Sequence, residues 1–341
     1  MKTGIVRDAR FLEHDPGPGH VETPMRLEVI YAMLDEEPGA WTNIPARPAR
    51  DEEVGRIHAA RYIKLIKDTA GTEHVYLDPD TATSAGSAQA ALLAAGGFIE
   101  AVSAVVRGDV ANAFAFVRPP GHHAEADRAM GFCLFNNAAI AASSLIAGDA
   151  LKRVLIVDWD LHHGNGTQNA FYGTDKVLYF STHQFPHYPG SGHWREIGRG
   201  PGEGYTVNVP LGEGKGDADY LHVVRTVLKP AALAYKPEFV IISAGFDIYV
   251  GDPLGGMEVT AEGFGALAAE IMDVAAACCG GRMALVLEGG YNGKGLKEGA
   301  RAILGQLGGR APRPRIDAAP SPELLSELEP MLRHFRTFWP I

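Results

Sequence analysis

Cysteine is nearly absent from this 341-residue chain. Cys133, Cys278 and Cys279 are odd in number and two are adjacent, a poor basis for a disulfide framework and a sign of a reducing compartment. Positive charge is also in deficit, with 31 Lys and Arg against 41 Asp and Glu and a net charge of -10. That balance argues against a nucleic-acid partner, since phosphate backbones are gripped by clustered cations, and mildly favours cationic small molecules or basic peptides. The N-terminus, MKTGIVRDARFLEHD, meets charge within a few residues and lacks the apolar stretch of a signal peptide. No apolar run approaches the roughly 20 residues of a membrane span, so a soluble, cytoplasmic protein with no membrane partner is expected. There is no internal repeat, no low-complexity block and no linker before the Pro-rich APRPRIDAAPSPE at 311–323. One domain over 1–341 is therefore expected, with 311–341 a peripheral extension that ends in a surface helix.

What is present is a large apolar fraction, 46%, enough for one sizeable core. Short β-branched runs recur at GIVRD near the start and at 112–119, 153–160, 176–183, 239–247 and 283–290. Most are apolar without alternation, as strands covered on both faces require. Helix-like stretches lie between them at 87–108, 217–236 and 261–280. Alternating strands and helices predict an α/β fold, a parallel sheet with helices on both sides. In such sheets ligands bind beyond the carboxyl ends of the strands. Five of those ends carry polar clusters here: GHH, DWDLHHGNG, STH, AGFD and EGGY.

Asp160 and His162, spaced D-x-H at one strand end, and Asp247, at another, make two carboxylates and one imidazole. Three protein ligands leave the open position that a catalytic zinc (Zn2+) keeps for water and substrate, and an oxygen-rich set also suits iron(II) or cobalt. The competing reading makes Asp158, Asp160 and His162 strand-end groups that cap the following helix. Against it, Asp-Trp-Asp-Leu-His-His packs four ionisable groups into six positions, which is expensive to bury without a metal or mutual pairing. His122 and His123 follow another strand directly; in an extended segment their side chains diverge, so different jobs are expected. A histidine beside a metal-activated water can take its proton and later give it to a leaving amine. Tyr291, after two glycines, can present a phenol to the oxyanion of a tetrahedral intermediate.

In order along the chain, PGPGHVETPMRL, HAARYIKLI, RPPGHHAEADRAMGFCLFNNAAIAA, VLIVDWDLHHGNGTQNAFY, STHQFPHYPGSG, NVPL, ISAGFDIYVGDPLGG and LEGGYN resemble the histone deacetylase and acetylpolyamine amidohydrolase superfamily. The resemblance runs from about residue 16 to about 305. It implies an arginase/deacetylase-like fold, a single parallel sheet of about eight strands flanked by helices. It implies zinc on Asp160, His162 and Asp247, and Tyr291 polarising the substrate carbonyl. His123 is then the main base and acid, with Asn165 as its partner in a class II-like HGNG, while His122 tunes charge against Asp158. Glu288 also looks class II-like. Phe132 and Tyr188 would wall the substrate channel with Gly131 and Leu254, and Asp80 would hold a peptide at the rim. Tyr188 departs from the second Phe that is usual in the family. By the same resemblance Asp158, Asp160, His162 and Ser181 would hold one structural potassium ion, and Phe171, Thr174, Val177 and Tyr205 a second.

The expected reaction is hydrolysis of the amide of N-acetylated lysine or a related acylated amine. An acetylpolyamine amidohydrolase is the alternative, although the position after GDP, acidic in a polyamine-selective relative, is the apolar Leu254 here. A dinuclear arginase-type hydrolase needs further carboxylates where Asn165 and Gly166 stand, and a non-catalytic acyl-lysine binder would not need every catalytic group. The oligomeric state stays open.

Overall fold

The structure, a computed structural model, describes residues 2–148 and 151–341. In chain order its strands are β1 (Gly4–Val6), β2 (Thr42–Asn43), β3 (Val75–Tyr76), β4 (Ala82–Thr83), β5 (Ala113–Ala115), β6 (Val154–Asp158), β7 (Val177–Gln184), β8 (Thr206–Leu211), β9 (Phe239–Ala244) and β10 (Met283–Leu287). Eight of them form one sheet in the order β2-β1-β5-β10-β9-β6-β7-β8, and every neighbouring pair is parallel. The remaining two, β3 and β4, pair as a small antiparallel hairpin. Helix Gly293–Leu307 packs on both Met25–Asp35 and Ala261–Cys279, and Ser87–Arg107 packs on Asn137–Ala147. With both faces covered, the central strands are mostly apolar: Val154 to Val157 on β6 are at most 1% exposed.

The structure corrects several expectations. The ladders stop short of the polar ends: β6 ends at Asp158, β9 at Ala244 and β10 at Leu287, so Asp160, His162, Asp247 and Tyr291 stand on the loops beyond. At β5 the chain leaves the sheet before Pro119 and Pro120, which have no N–H to give a ladder. Two edge strands, β2 and β8, were not anticipated. The first has two residues, and the second contains Pro210, a residue that a strand tolerates where one side is unpaired. The helix expected over 217–236 is three pieces, Asp217–Val223, a π turn Val224–Leu228 and Lys229–Tyr235. Pro230 cannot donate back along the helix, and the wide turn lies just before it.

An apolar segment of membrane-spanning length does exist. Helix Ser87–Arg107 has 21 residues and is long and apolar enough to cross a bilayer, but it lies mostly buried against β1, β5 and β10. Its apolarity is that of a core helix. Near the C-terminus, helix Pro322–Phe335 places Leu324, Leu328, Met331 and Phe335 on one face and buries them beside β8.

Candidate active site

Asp160 and His162 leave the end of β6, and Asp247 leaves β9, its direct neighbour in the sheet. The shared register, Asp158 opposite Ser243, brings both loops to one point. Ligand atoms of Asp160, His162 and Asp247 lie within 4.8 Å of one another, and all three residues are buried. His162 Nδ1 is 3.1 Å from Asp160 Oδ1 and 3.1 Å from Asp247 Oδ2. Backbone amides fix the carboxylates: Leu161 N–H donates to Asp247 Oδ1 at 3.0 Å, His162 N–H to Asp160 Oδ1 at 2.9 Å and Gly289 N–H to Asp160 Oδ2 at 2.7 Å. A side chain at 289 is impossible, because its Cβ would stand 2.2 Å from Asp247 Oδ2.

Burial, reinforced by the charge of Asp160, pushes Asp247 up to about 7. Burial also opposes ionisation of Asp160, but the charges of His122 and His162 outweigh it and hold that carboxyl well below its ordinary value. Two desolvated carboxylates this close do not both ionise readily without a cation. The donor set, two oxygens and one imidazole nitrogen, therefore fits a divalent metal such as zinc. Among the described residues this is the one such group of three or more.

His122 and His123 sit in a turn, not in an extended segment, so the expected divergence of their rings is wrong: the centroids are 4.1 Å apart and the planes tilt by 46°. Their partners differ. His122 Nδ1 donates to Asp158 Oδ2 at 3.1 Å, and that carboxylate also accepts from Tyr179 O–H at 3.1 Å. His123 Nδ1 donates to Asn165 Oδ1 at 2.7 Å, which leaves its Nε2 lone pair free. Burial disfavours a charged His122, yet the carboxylates of Asp160 and Asp158 prevail and raise it to about 10. Burial, followed by the charges of His122 and His162, lowers His123 well below its ordinary value. The two neighbouring histidines are thus shifted in opposite directions.

Tyr291 is half-buried over the same floor, its backbone N–H donating to Asp252 Oδ2 at 2.7 Å. Burial raises its phenol well above the ordinary value, Arg26 works against this, and the charge of Asp247 adds to it. It stays a hydrogen-bond donor.

A cavity of about 220 Å³ opens onto His122, His123, His162 and Tyr291. Phe132, Tyr188, Gly131, Asp80 and Leu254 all line it, with His187 beside them. Phe132 holds a left-handed backbone, φ 68°, and its ring stands edge-on to Tyr291 at 5.9 Å. Gly131 precedes it at φ 55°, where a Cβ would fall 2.3 Å from His123 Cδ2. The Tyr188 ring meets His123 edge-on at 5.1 Å. Asp80 lies in the turn between β3 and β4, its N–H donating to Asp78 Oδ1 at 3.0 Å; burial and then the hydrogen bond with Asp78 raise its pKa. A larger cleft of about 660 Å³ opens at the amino ends of the strands beside Lys152, Lys176 and Trp339, and holds none of these catalytic candidates.

Of the residues expected around potassium, Ser181 lies directly across from Asp158 in the β6–β7 register, and its hydroxyl is 2.9 Å from His183 Nδ1. Phe171 ends a helix, Thr174 N–H donates to the Phe171 carbonyl at 3.2 Å, Val177 opens β7, and the Tyr205 carbonyl accepts from Tyr179 N–H at 2.9 Å.

Several supporting residues had no assigned part in the sequence reading. Arg26, fully buried, donates from Nε to the Gly290 carbonyl at 2.6 Å and from its NH2 group to the Glu288 carbonyl, and its guanidinium lies 4.9 Å from the Tyr291 ring centre. Glu22 accepts from Arg26 at 2.8 Å and from Arg118 at 2.6 Å. The Glu288 side chain accepts from Gly121 N–H at 2.7 Å, His122 N–H at 3.1 Å and Ser243 O–H at 3.0 Å; burial raises it to about 7. The visible signal was a Glu and an Arg four residues apart, the Arg inside a run of apolar positions (Leu27, Ile30, Met33, Leu34) that face the core.

The histone deacetylase domain family matches residues 20–307. Histone deacetylase 15 of Arabidopsis thaliana is 41% identical over 99% of this chain and 63% of that protein. Histone deacetylase HDA1 of Candida albicans is 36% identical over 98% of this chain and 44% of that protein. The chain thus spans less than two thirds of these relatives. A probable deacetylase of Archaeoglobus fulgidus is 41% identical over 86% of this chain and 83% of its own length. The crystal structure of the HDA15 HD domain superposes with a TM-score of 0.94 at 41% identity, covering 100% of this chain and 97% of that one.

Proposed function

The chain belongs to the histone deacetylase family, with that family's arginase/deacetylase-like α/β fold, and on this premise we propose that it is a metal-dependent amidohydrolase that removes the acetyl group from N-acetylated lysine or a related acylated amine. The observation that carries the reading is the meeting, at one cavity, of His162 from the Asp160, His162 and Asp247 cluster, two histidines with different partners and a phenol donor.

Asp160, His162 and Asp247 would hold zinc, with iron(II) or cobalt also suited, and the bound ion supplies Lewis acidity toward the amide carbonyl and the attacking water. His123 takes a proton from that water through its free Nε2. As the water oxygen bonds to the acyl carbon, charge moves to the former carbonyl oxygen. Tyr291 O–H donates to that oxyanion, and cationic His122 adds favourable charge beneath it. The carbon–nitrogen bond then breaks, and His123 returns its proton to the leaving amine, so acetate and free amine depart.

Phe132 and Tyr188 suit an apolar methylene stem, and Asp80 can accept from the backbone amides of a peptide. Leu254 offers no charge to a secondary ammonium along a polyamine, which favours acetyl-lysine as the substrate. By family resemblance we also assign two structural potassium ions to the residues named for them, one domain over 1–341 and a cytoplasmic location. Three cysteines, two of them adjacent, make a poor disulfide framework and favour a reducing compartment. Side-by-side turnover of acetyl-lysine peptides and acetylated polyamines tests the substrate. A higher kcat/KM on the peptides is expected, and a tenfold preference for acetylpolyamines, about 1.4 kcal/mol, overturns it.

A further inference from the structure

The amide of Asn165 has its two ends in different surroundings. Oδ1 accepts from His123 Nδ1 at 2.7 Å. Nδ2 faces only acceptors: Glu125 Oε1 at 2.7 Å, the His123 carbonyl at 3.4 Å and Met130 Sδ at 3.3 Å. Half a turn about the last side-chain bond would exchange donor and acceptor ends and aim an NH2 group at His123 Nδ1. The imidazole proton would then have to sit on Nε2, and the lone pair that receives the water proton would be lost. Orientation of one amide therefore decides whether His123 can act as a base.

A carboxylate only accepts, so Glu125 holds the NH2 end of Asn165 away from the histidine. Glu125 is itself held. Asn169 Nδ2 donates to both its oxygens at 3.0 Å, Arg128 NH2 to Oε1 at 3.3 Å, its N–H donates to the Arg128 carbonyl at 3.0 Å, and its own carbonyl accepts from His58 Nδ1 at 2.8 Å. It does not line the catalytic cavity.

We propose that Glu125 is a positioning residue that fixes the Asn165 amide and, through it, the tautomer of His123. The inference rests on the reading of His123 as the general base. Asn165 brings no charge to the histidine, so its orientation is its whole contribution, and Glu125 is the group that sets it.

The test is a double-mutant cycle on the metal-loaded chain with an acetyl-lysine peptide. Glu125→Ala should lower kcat about 10- to 100-fold, a large part of what a general base contributes, with KM within about twofold. Glu125→Gln, whose oxygen can still accept from Asn165, should restore most of that loss. In an Asn165→Asp background there is no NH2 end to orient, so adding Glu125→Ala should cost nothing further. Glu125→Met, of similar length without an oxygen, replaces the alanine variant if that one is unstable. An effect of Glu125→Ala below twofold, an equal loss in both backgrounds, or a glutamine variant as impaired as the alanine one overturns the proposal. A second readout is independent of turnover: nitrogen-15 NMR of histidine-labelled protein, with His123 assigned by its loss in His123→Ala, should show the proton on Nδ1 in the wild type and on Nε2 in Glu125→Met. A wild type inactive on acetylated amines but with this tautomer switch would sink the deacetylase reading and leave the positioning role standing; an unchanged tautomer would sink the role itself.

Discussion

At the floor of the cavity Asp160 and Asp247 are fully buried, and their carboxylate oxygens accept from backbone N–H groups on the loops after β6 and β10. At its mouth Tyr188 is 36% exposed, and Asp80 rides a turn joining two strands of two residues each. The floor is over-determined, since moving one ligand disturbs two strand ends and the Gly289 backbone. Mouth residues rest on few bonds and face solvent. Substitutions at the floor should therefore abolish chemistry, and substitutions at the mouth should redistribute it among substrates.

Five variants test that contrast. Asp247→Ala should have the largest effect, loss of both bound metal and activity, because Asp160 and His162 alone no longer make a site. Metal analysis and turnover read it together; retention of the ion would show that the floor is not the metal site. His123→Ala should follow, with a loss of about 10²–10⁴ in kcat. It should exceed the loss in His122→Ala, and the reverse order would mean that the two roles are exchanged. Tyr291→Phe should fold, keep its metal and lose about 10²–10³ in kcat, the usual effect of deleting one oxyanion donor. A kcat within a fewfold of wild type removes Tyr291 from the chemistry. The smallest change is expected at the mouth: Leu254→Glu should leave peptide turnover measurable while shifting the ratio of kcat/KM values toward acetylated polyamines. An unchanged ratio would mean that selectivity is set elsewhere.

The same contrast explains what could be read from the sequence. Asp160, His162, His122, His123 and Tyr291 stood out because they fall just past apolar runs, where a parallel sheet gathers its ligands. The central strands were legible because burial on both faces leaves β6 apolar from Val154 to Val157 and β9 apolar from Phe239 to Ile242. Edge strands carry no such signal: β2 is Thr42–Asn43, and Pro210 in β8 reads as a break. Ser87–Arg107 is so apolar that composition cannot separate a core helix from a membrane span; its packing does. The support beneath the site was hidden for another reason. Arg26 is 264 residues from the carbonyl of Gly290 that it holds, and Glu22 gathers Arg26 and Arg118 from distant segments. Local pattern shows that a charged residue is about to be buried, but its partner is chosen by the fold. The side-by-side rings of His122 and His123 were missed because a turn, not a strand, carries them.

We propose that one metal on Asp160, His162 and Asp247 turns this cavity into a deacetylase. This is tested most directly by titrating zinc into metal-free protein and measuring acetate released from an acetyl-lysine peptide. Activity should rise linearly to one equivalent of zinc per chain and then level off, with none in Asp247→Ala. Activity that needs a second equivalent, or peptide binding without acetate release at any zinc level, would contradict it.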